Sequence, residues 1–141
     1  MDKRRGTHEL TDASSPGGSR TLVVAPDVVA DFTAMPFPDE SFRLVVFDPP
    51  HFTRNGATGW IGLKYGTLGD GWEDVLRRGF AECFRVLGPD GVLIFKWCAD
   101  EIPLSRILAL TPAKPLFGHR SGKQQKTHWA AFIKEASDAL S

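Results

Sequence analysis

Residues 44–52 read LVVFDPPHF. The apolar run Leu44-Val45-Val46-Phe47 stops on a carboxylate, Asp48. Pro49 and Pro50 lock the next two residues, and His51 and Phe52 then offer two rings. Proline fixes its own φ and donates no backbone hydrogen bond, so it cannot continue a central strand. Two readings follow from these residue types. One is a plain strand-ending turn. The other is a site that holds an amine beside an acid, with Asp48 accepting N–H bonds and the prolines keeping the backbone still. Asp31 is a second carboxylate behind an apolar stretch, Val28-Val29-Ala30. Its side chain either caps the next turn or faces a ligand.

The elements that must position these residues are legible as periodicities. Residues 6–20 include TDASSPGGSR, a polar Gly/Ser/Pro stretch that reads as loop, so residues 1–21 are expected to be a flexible N-terminal segment and 22–141 the folded domain. TLVVAPDVVADF is extended chain interrupted by Pro26. RLVVF is continuously apolar, as expected of a central parallel strand covered on both faces. Residues 53–71, with glycines at 56, 59, 62, 66, 69 and 71, read as a surface loop; Lys64 and Tyr65 are its candidates for substrate contact. Trp72, Val75, Leu76, Phe80, Cys83, Phe84 and Leu87 recur at helical spacing, and Gly88-Pro89-Asp90-Gly91 stops that helix. VLIFKW is a second buried strand, residues 102–110 a short helix, and KPLFGHR and THWAAFIK two strands of a hairpin with SGKQQK at its tip. Strands alternating with helices predict an α/β fold, a mostly parallel sheet with a C-terminal antiparallel hairpin. Ligands of such sheets bind outside the carboxyl ends of the strands, which is where Asp31 and Asp48 fall.

Composition bounds the function. The chain has 141 residues, enough for one domain with one core. Lys+Arg and Asp+Glu both number 17, which argues against a generally basic nucleic-acid coat but leaves room for a local patch. His119, Arg120, Lys123, Lys126 and His128 form such a cluster around the hairpin; it either receives phosphate or is a solvated tip. Cys83 and Cys98 have no CxxC spacing and no histidine at ligand spacing, so reduced thiols and no metal are expected. No stretch is long and apolar enough for a membrane span. Met1-Asp2-Lys3-Arg4-Arg5 has no apolar segment behind it and does not read as a secretory signal, so a cytoplasmic protein is expected.

Asp48-Pro49-Pro50-His51 resembles the (Asp/Asn)-Pro-Pro-aromatic motif of class I S-adenosylmethionine-dependent methyltransferases that modify amino nitrogens. VVADFTAMPFPDESFRLVVFDPPH is similar to the run from the third to the fourth strand of those enzymes. FAECFRVLGPDGVLIFKW resembles the helix, turn and fifth strand, and HRSGKQQKTHWAAFIK the terminal hairpin. The resemblance covers residues 22–134 and is nearest to short phage-like forms. It implies a Rossmann-like sheet, S-adenosylmethionine as cofactor, and an amine-bearing substrate such as a nucleobase. It implies that Asp48 and a carbonyl of the Pro49-Pro50 turn accept the amine's protons. Those bonds strengthen as charge develops on nitrogen, so they favour the transition state. The fourth motif residue stacks on the substrate plane. His51 departs from the usual Tyr, Phe or Trp, and Phe52 is the ring that can stand in for it. The resemblance also places Asp31 at the amino group of the cofactor adenine, with Phe32 lining the adenine pocket.

One part of the pattern is missing. No strand followed by a GxGxG-type loop precedes Asp31, and Asp2 is the one acidic residue that can correspond to the ribose-binding position. The chain therefore reads as a methyltransferase-like domain lacking its first strand and helix. Such a domain is a minimal enzyme, a sheet completed by a partner or by a second copy in a homodimer, or a catalytically inactive, nucleic-acid-directed binding module.

Overall fold

The computed structural model describes residues 1–11, 17–53 and 60–136. Gly56, Gly59 and the whole ASSP run of the N-terminal stretch lie outside the described residues. In chain order the elements are β1 (Gly6–Thr11), β2 (Ser19–Val24), β3 (Phe42–Phe47), α1 (Trp60–Tyr65), α2 (Trp72–Val86), β4 (Leu87–Cys98), α3 (Leu104–Leu108), β5 (Phe117–Ser121) and β6 (Thr127–Ile133).

Helix α2 forms where the apolar period demanded it. Leu76, Phe80, Cys83 and Val86 turn one buried stripe to the sheet, while Glu73 and Asp74 in the first turn and Arg85 in the last suit the helix dipole. The chain passes from Val86 directly into β4, whose Gly91, Leu93, Phe95 and Trp97 are buried in alternation with half-buried neighbours. Phe47 of β3 and Ala130 and Phe132 of β6 join them in one core with α2, Ile102, Ile107 and Leu110. Trp97 closes the far side of this core by donating its indole N–H to the Ile102 carbonyl at 2.8 Å.

The main sheet has four strands in the order β3-β4-β6-β5. β3 pairs parallel with β4; β4 with β6 and β5 with β6 are antiparallel. The expectation of a mostly parallel sheet is therefore corrected: one pairing of three is parallel. Of the paired strands described, only β3 and β4 are joined through a helical crossover, whereas β5 and β6 are joined by a tight hairpin, whose geometry imposes antiparallel pairing. The RLVVF strand is not central either. β3 is the sheet's edge, with Leu44 58% and Val46 60% exposed. An apolar run identifies a strand, but its neighbours decide whether it is interior.

Two further differences lie outside the sheet. Residues read as N-terminal loop include β1 and the start of β2, an antiparallel two-stranded hairpin. Its faces are mostly exposed, so it carries no apolar alternation to betray it. Helix α1 occupies part of the glycine-rich segment. Ahead of β3, Asp2 forms a single parallel bridge with Val29: its N–H donates to Val28 O at 3.2 Å and its carbonyl accepts from Ala30 N at 2.9 Å. Asp31 thus follows a one-residue bridge rather than the end of a regular strand.

Candidate active site

Phe47 anchors the site. It is 5% exposed, and its ring lies 5.1 Å from Phe32, 5.5 Å from Phe80 and 5.7 Å from Phe95, centroid to centroid. Side chains alternate across a strand, so Asp48 leaves on the opposite side. Phe47 and Phe95 are register partners, which sets Lys96 beside Asp48, with Nζ 3.0 Å from Oδ2. Lys96 in turn lies 5.5 Å over the ring of Trp129, its register partner on β6. Asp48 therefore stands in a row with a cation that the sequence reading passed over as one polar residue in VLIFKW.

Pro49 is buried and Pro50 half-buried. His51 and Phe52 are half-buried, with ring centroids 4.3 Å apart and planes at 45°. The His51 ring also meets Trp97 edge-on at 6.4 Å. Burial lowers the His51 pKa, with Lys96 adding to the effect, against the opposing pull of Asp100 and Asp48. The His51 ring nitrogens, the Cys98 thiol and the Asp100 carboxylate come within 4.8 Å of one another. Cys98 donates to Asp100 at 3.3 Å, and burial together with that carboxylate pushes the thiol pKa up. Asp100 already holds a cation: Lys126 Nζ is 2.8 Å from its other oxygen.

Asp31 is used as a turn cap. Its Oδ1 accepts the Thr33 N–H at 2.9 Å and the Thr33 hydroxyl at 2.8 Å, and these bonds, with Lys3 3.8 Å from Oδ2, hold its carboxyl below the usual carboxylate range. Phe32 packs edge-on against Phe47.

Beside β3 opens a cavity of about 1050 Å³. Asp48, Pro49 and Pro50 stand on its rim, Phe32 and Met35 contribute to its wall, and Met1–Arg5 line it as well. Asp31 lies instead on a small neighbouring cavity of about 100 Å³, which Phe32 and Pro50 also line. Of the residues singled out in the sequence, the large cavity gathers Phe32, Asp48, Pro49 and Pro50; His51 and Phe52 lie against Trp97. Tyr65 also lines the cavity, with Lys64 5.0 Å over its ring. Arg4 fastens this wall, donating to Leu63 O at 2.8 Å and Lys64 O at 3.0 Å while it chelates Asp2. Asp2 Oδ1 accepts the Arg4 N–H and Nε–H, and Oδ2 accepts from Nη2. Around the hairpin, His119, Arg120 and Lys123 are exposed.

No family model and no curated protein matches the chain. Among solved structures it is similar to the PH0226 protein from Pyrococcus horikoshii OT3, at 15% identity and a TM-score of 0.53, over 77% of this chain and 58% of that one. It is similar to a SAM-dependent methyltransferase from Leishmania major at 15% identity and TM-score 0.49, over 76% of this chain and 44% of that one. A candidate DNA modification methylase from Thermus thermophilus aligns at 20% identity and TM-score 0.48, over 79% of this chain and 54% of that one. The chain thus spans little more than half of the PH0226 protein. At such identities the likeness concerns the fold, an α/β domain with a mixed sheet, and no residue of this chain takes its role from a neighbour.

Proposed function

We propose that the chain binds S-adenosylmethionine in the cavity beside β3 and transfers its methyl group to an amino nitrogen held at Asp48. One observation carries this reading: Asp48-Pro49-Pro50 leaves the carboxyl end of a parallel strand directly onto the rim of a cavity of about 1050 Å³. That is where open α/β sheets bind ligands, and the volume reaches the upper range of small-molecule sites. The fit to the cofactor rests on Phe32, which lines the cavity as an adenine wall, and on Asp31 in the small adjoining cavity, whose Oδ2 lies outside its turn cap with Lys3 3.8 Å away. The bound cofactor supplies an electrophilic methyl group on a sulfonium.

The chain's own residues do the rest. A substrate amine donates one N–H to an Asp48 oxygen and another to a carbonyl of the proline turn, which aims the nitrogen lone pair away from both. Positive charge grows on nitrogen as the new N–C bond forms, so both acceptors bind more strongly then than before. After methyl transfer the substrate N–H proton leaves to solvent, by way of the Asp48 carboxylate that already accepts it. Lys96 holds one Asp48 oxygen until an amine displaces it or binds the other oxygen. The acceptor is a nucleobase or another planar amine, with the exposed cations of the β5–β6 hairpin available to phosphate. The reading puts the protein in the cytoplasm; among the described residues no helix is long and apolar enough to cross a membrane.

A second reading is a binding module without catalysis. It is favoured by the Arg4 chelate on Asp2 and the Lys96 ion pair on Asp48, which fill the two acids with the chain's own cations. Calorimetric titration with S-adenosylmethionine, followed by radiolabelled methyl transfer to DNA, RNA and protein panels, separates the two. Binding with transfer supports the enzyme, and the absence of heat and of any thermal shift at millimolar cofactor removes it and leaves the binding module.

A further inference from the structure

Among the described residues, α2 and α3 pack on one of the sheet's two faces. Phe47, Leu93, Phe95, Trp97, Ala130 and Phe132 belong to the face packed on α2 and α3. Their alternating neighbours make the other face, and the strand register lines these up in rows. Leu44, Val92 and Ile133 are successive partners across β3, β4 and β6. Val46, Ile94, Ala131 and Phe117 follow across all four strands. The third row, at the site end, is Lys96, Trp129 and His119, with Asp48 bonded to Lys96.

The first two rows hold no ionisable side chain: Leu44 is 58% exposed, Val46 60%, Phe117 67% and Ile133 43%, while Val92 and Ile94 are half-buried and Ala131 is buried. In the third row Trp129 is 36% exposed. We propose that this face is the interface of a homodimer in which the sheets of two copies pack face to face.

Three features select a second copy as the occupant. The exposed apolar side chains present on the order of 600 Å², given roughly 150–250 Å² for each large aromatic and less for aliphatic residues. With the surrounding backbone and rim this approaches the ~800 Å² per partner of a standard interface, and it sits at the top of what monomers leave exposed. The charge is also self-compatible. Asp48 and Lys96 neutralise each other within one copy, so two such faces meet without repulsion. Finally, a two-fold axis sets the same apolar rows against themselves, and sheets pack in this way about 10 Å apart with interdigitated side chains. The dimer does not depend on methyl transfer, but Leu44, Val46 and Asp48 also line the cavity beside β3, so the second copy would close one of its walls.

Light scattering and sedimentation equilibrium test it on the full chain. Wild type is expected at twice the 15.5 kDa chain mass at micromolar concentration. Val46→Lys and Phe117→Ser, on opposite edges of the face, are each expected to weaken association at least tenfold while circular dichroism stays native. Val23→Lys, on the exposed β1–β2 hairpin, is expected to leave the dimer intact. Hydrogen exchange on wild type gives an independent reading if a variant fails to fold: concentrating the protein should protect β3 and β5 and leave β1 and β2 unchanged. A wild-type monomer at hundreds of micromolar, a dimer unaffected by both face variants, or protection confined to β1 and β2 would each overturn the proposal.

Discussion

Lys96 Nζ lies 3.0 Å from Asp48 Oδ2 because Phe95 and Phe47 are register partners one residue before them. The pair is partly exposed, so it adds at most about 1 kcal/mol to stability. Lys96→Met should therefore leave the unfolding midpoint nearly unchanged in denaturant titrations. If Asp48 orients an amine, Asp48→Ala should lose on the order of 3 kcal/mol of transition-state stabilisation, about a hundredfold in turnover, with cofactor affinity retained. Asp48→Asn keeps a carbonyl acceptor and should retain part of the activity. Equal turnover for wild type and Asp48→Ala on a genuine substrate would falsify the catalytic role.

Gly79 lets α2 approach the site. A Cβ there meets the rings of Phe32 and Phe47 at 2.8 Å. Alanine is the better helix former by about 1 kcal/mol, yet overpacking a core costs about 1–3 kcal/mol. Phe47 is held by Phe80 and Phe95, and Phe32 by Phe47, so the clash should win. Gly79→Ala is expected to lower stability, read as a reduced urea midpoint with an unchanged slope; a gain in stability would show that the rings yield freely.

Trp97 is 1% exposed and its N–H satisfies the Ile102 carbonyl. Trp97→Phe fills much of the same space but leaves that carbonyl without its donor, at a cost of about 1–3 kcal/mol. Thermal unfolding should show the loss, and His51, which leans on Trp97, should shift its proton resonances.

His51 predicts a pH dependence. Burial favours its neutral form in the folded chain. As pH falls below the ordinary value of 6.5, the unfolded chain takes up this proton first, so stability drops from there until the folded pKa is passed. His128, lowered by burial and by Arg120, acts in the same direction. The lowered carboxylates Asp31 and Asp100 respond only below their ordinary value of 3.8. His51→Gln should flatten part of the decline between pH 7 and 5 in guanidinium titrations, and a slope identical to wild type would rule out His51 as a contributor.

Much of this architecture is written locally. The three- and four-residue spacing from Trp72 to Phe84 makes α2, the run VLIFKW makes half of β4, and a polar tip between two apolar stretches makes the β5–β6 hairpin. What escaped is set by partners distant in the chain. Leu44 and Val46 read as interior because nothing in RLVVF says that its other edge is open. Lys96 becomes a site residue only through the β3–β4 register, and Arg4 only through carbonyls of α1, some sixty residues away. Asp31 carried two readings, and the Thr33 bonds show it in its capping geometry. The hairpin of residues 6–24 escaped because a ribbon exposed on both faces needs no apolar alternation.

The strands of the sheet differ in how they are closed. β5 and β6 meet across a five-residue turn, while β3 reaches β4 only after the whole stretch of residues 48–86 has been laid down. Loop-closure entropy grows with the length enclosed, and β3 has a hydrogen-bonded neighbour on one side alone. The strand that ends at Asp48 can thus open under mild denaturant with the β4–β6–β5 ladder still paired. The acid at the centre of the site rides on an edge strand held to the core by Phe47, so its position reports any opening of that edge.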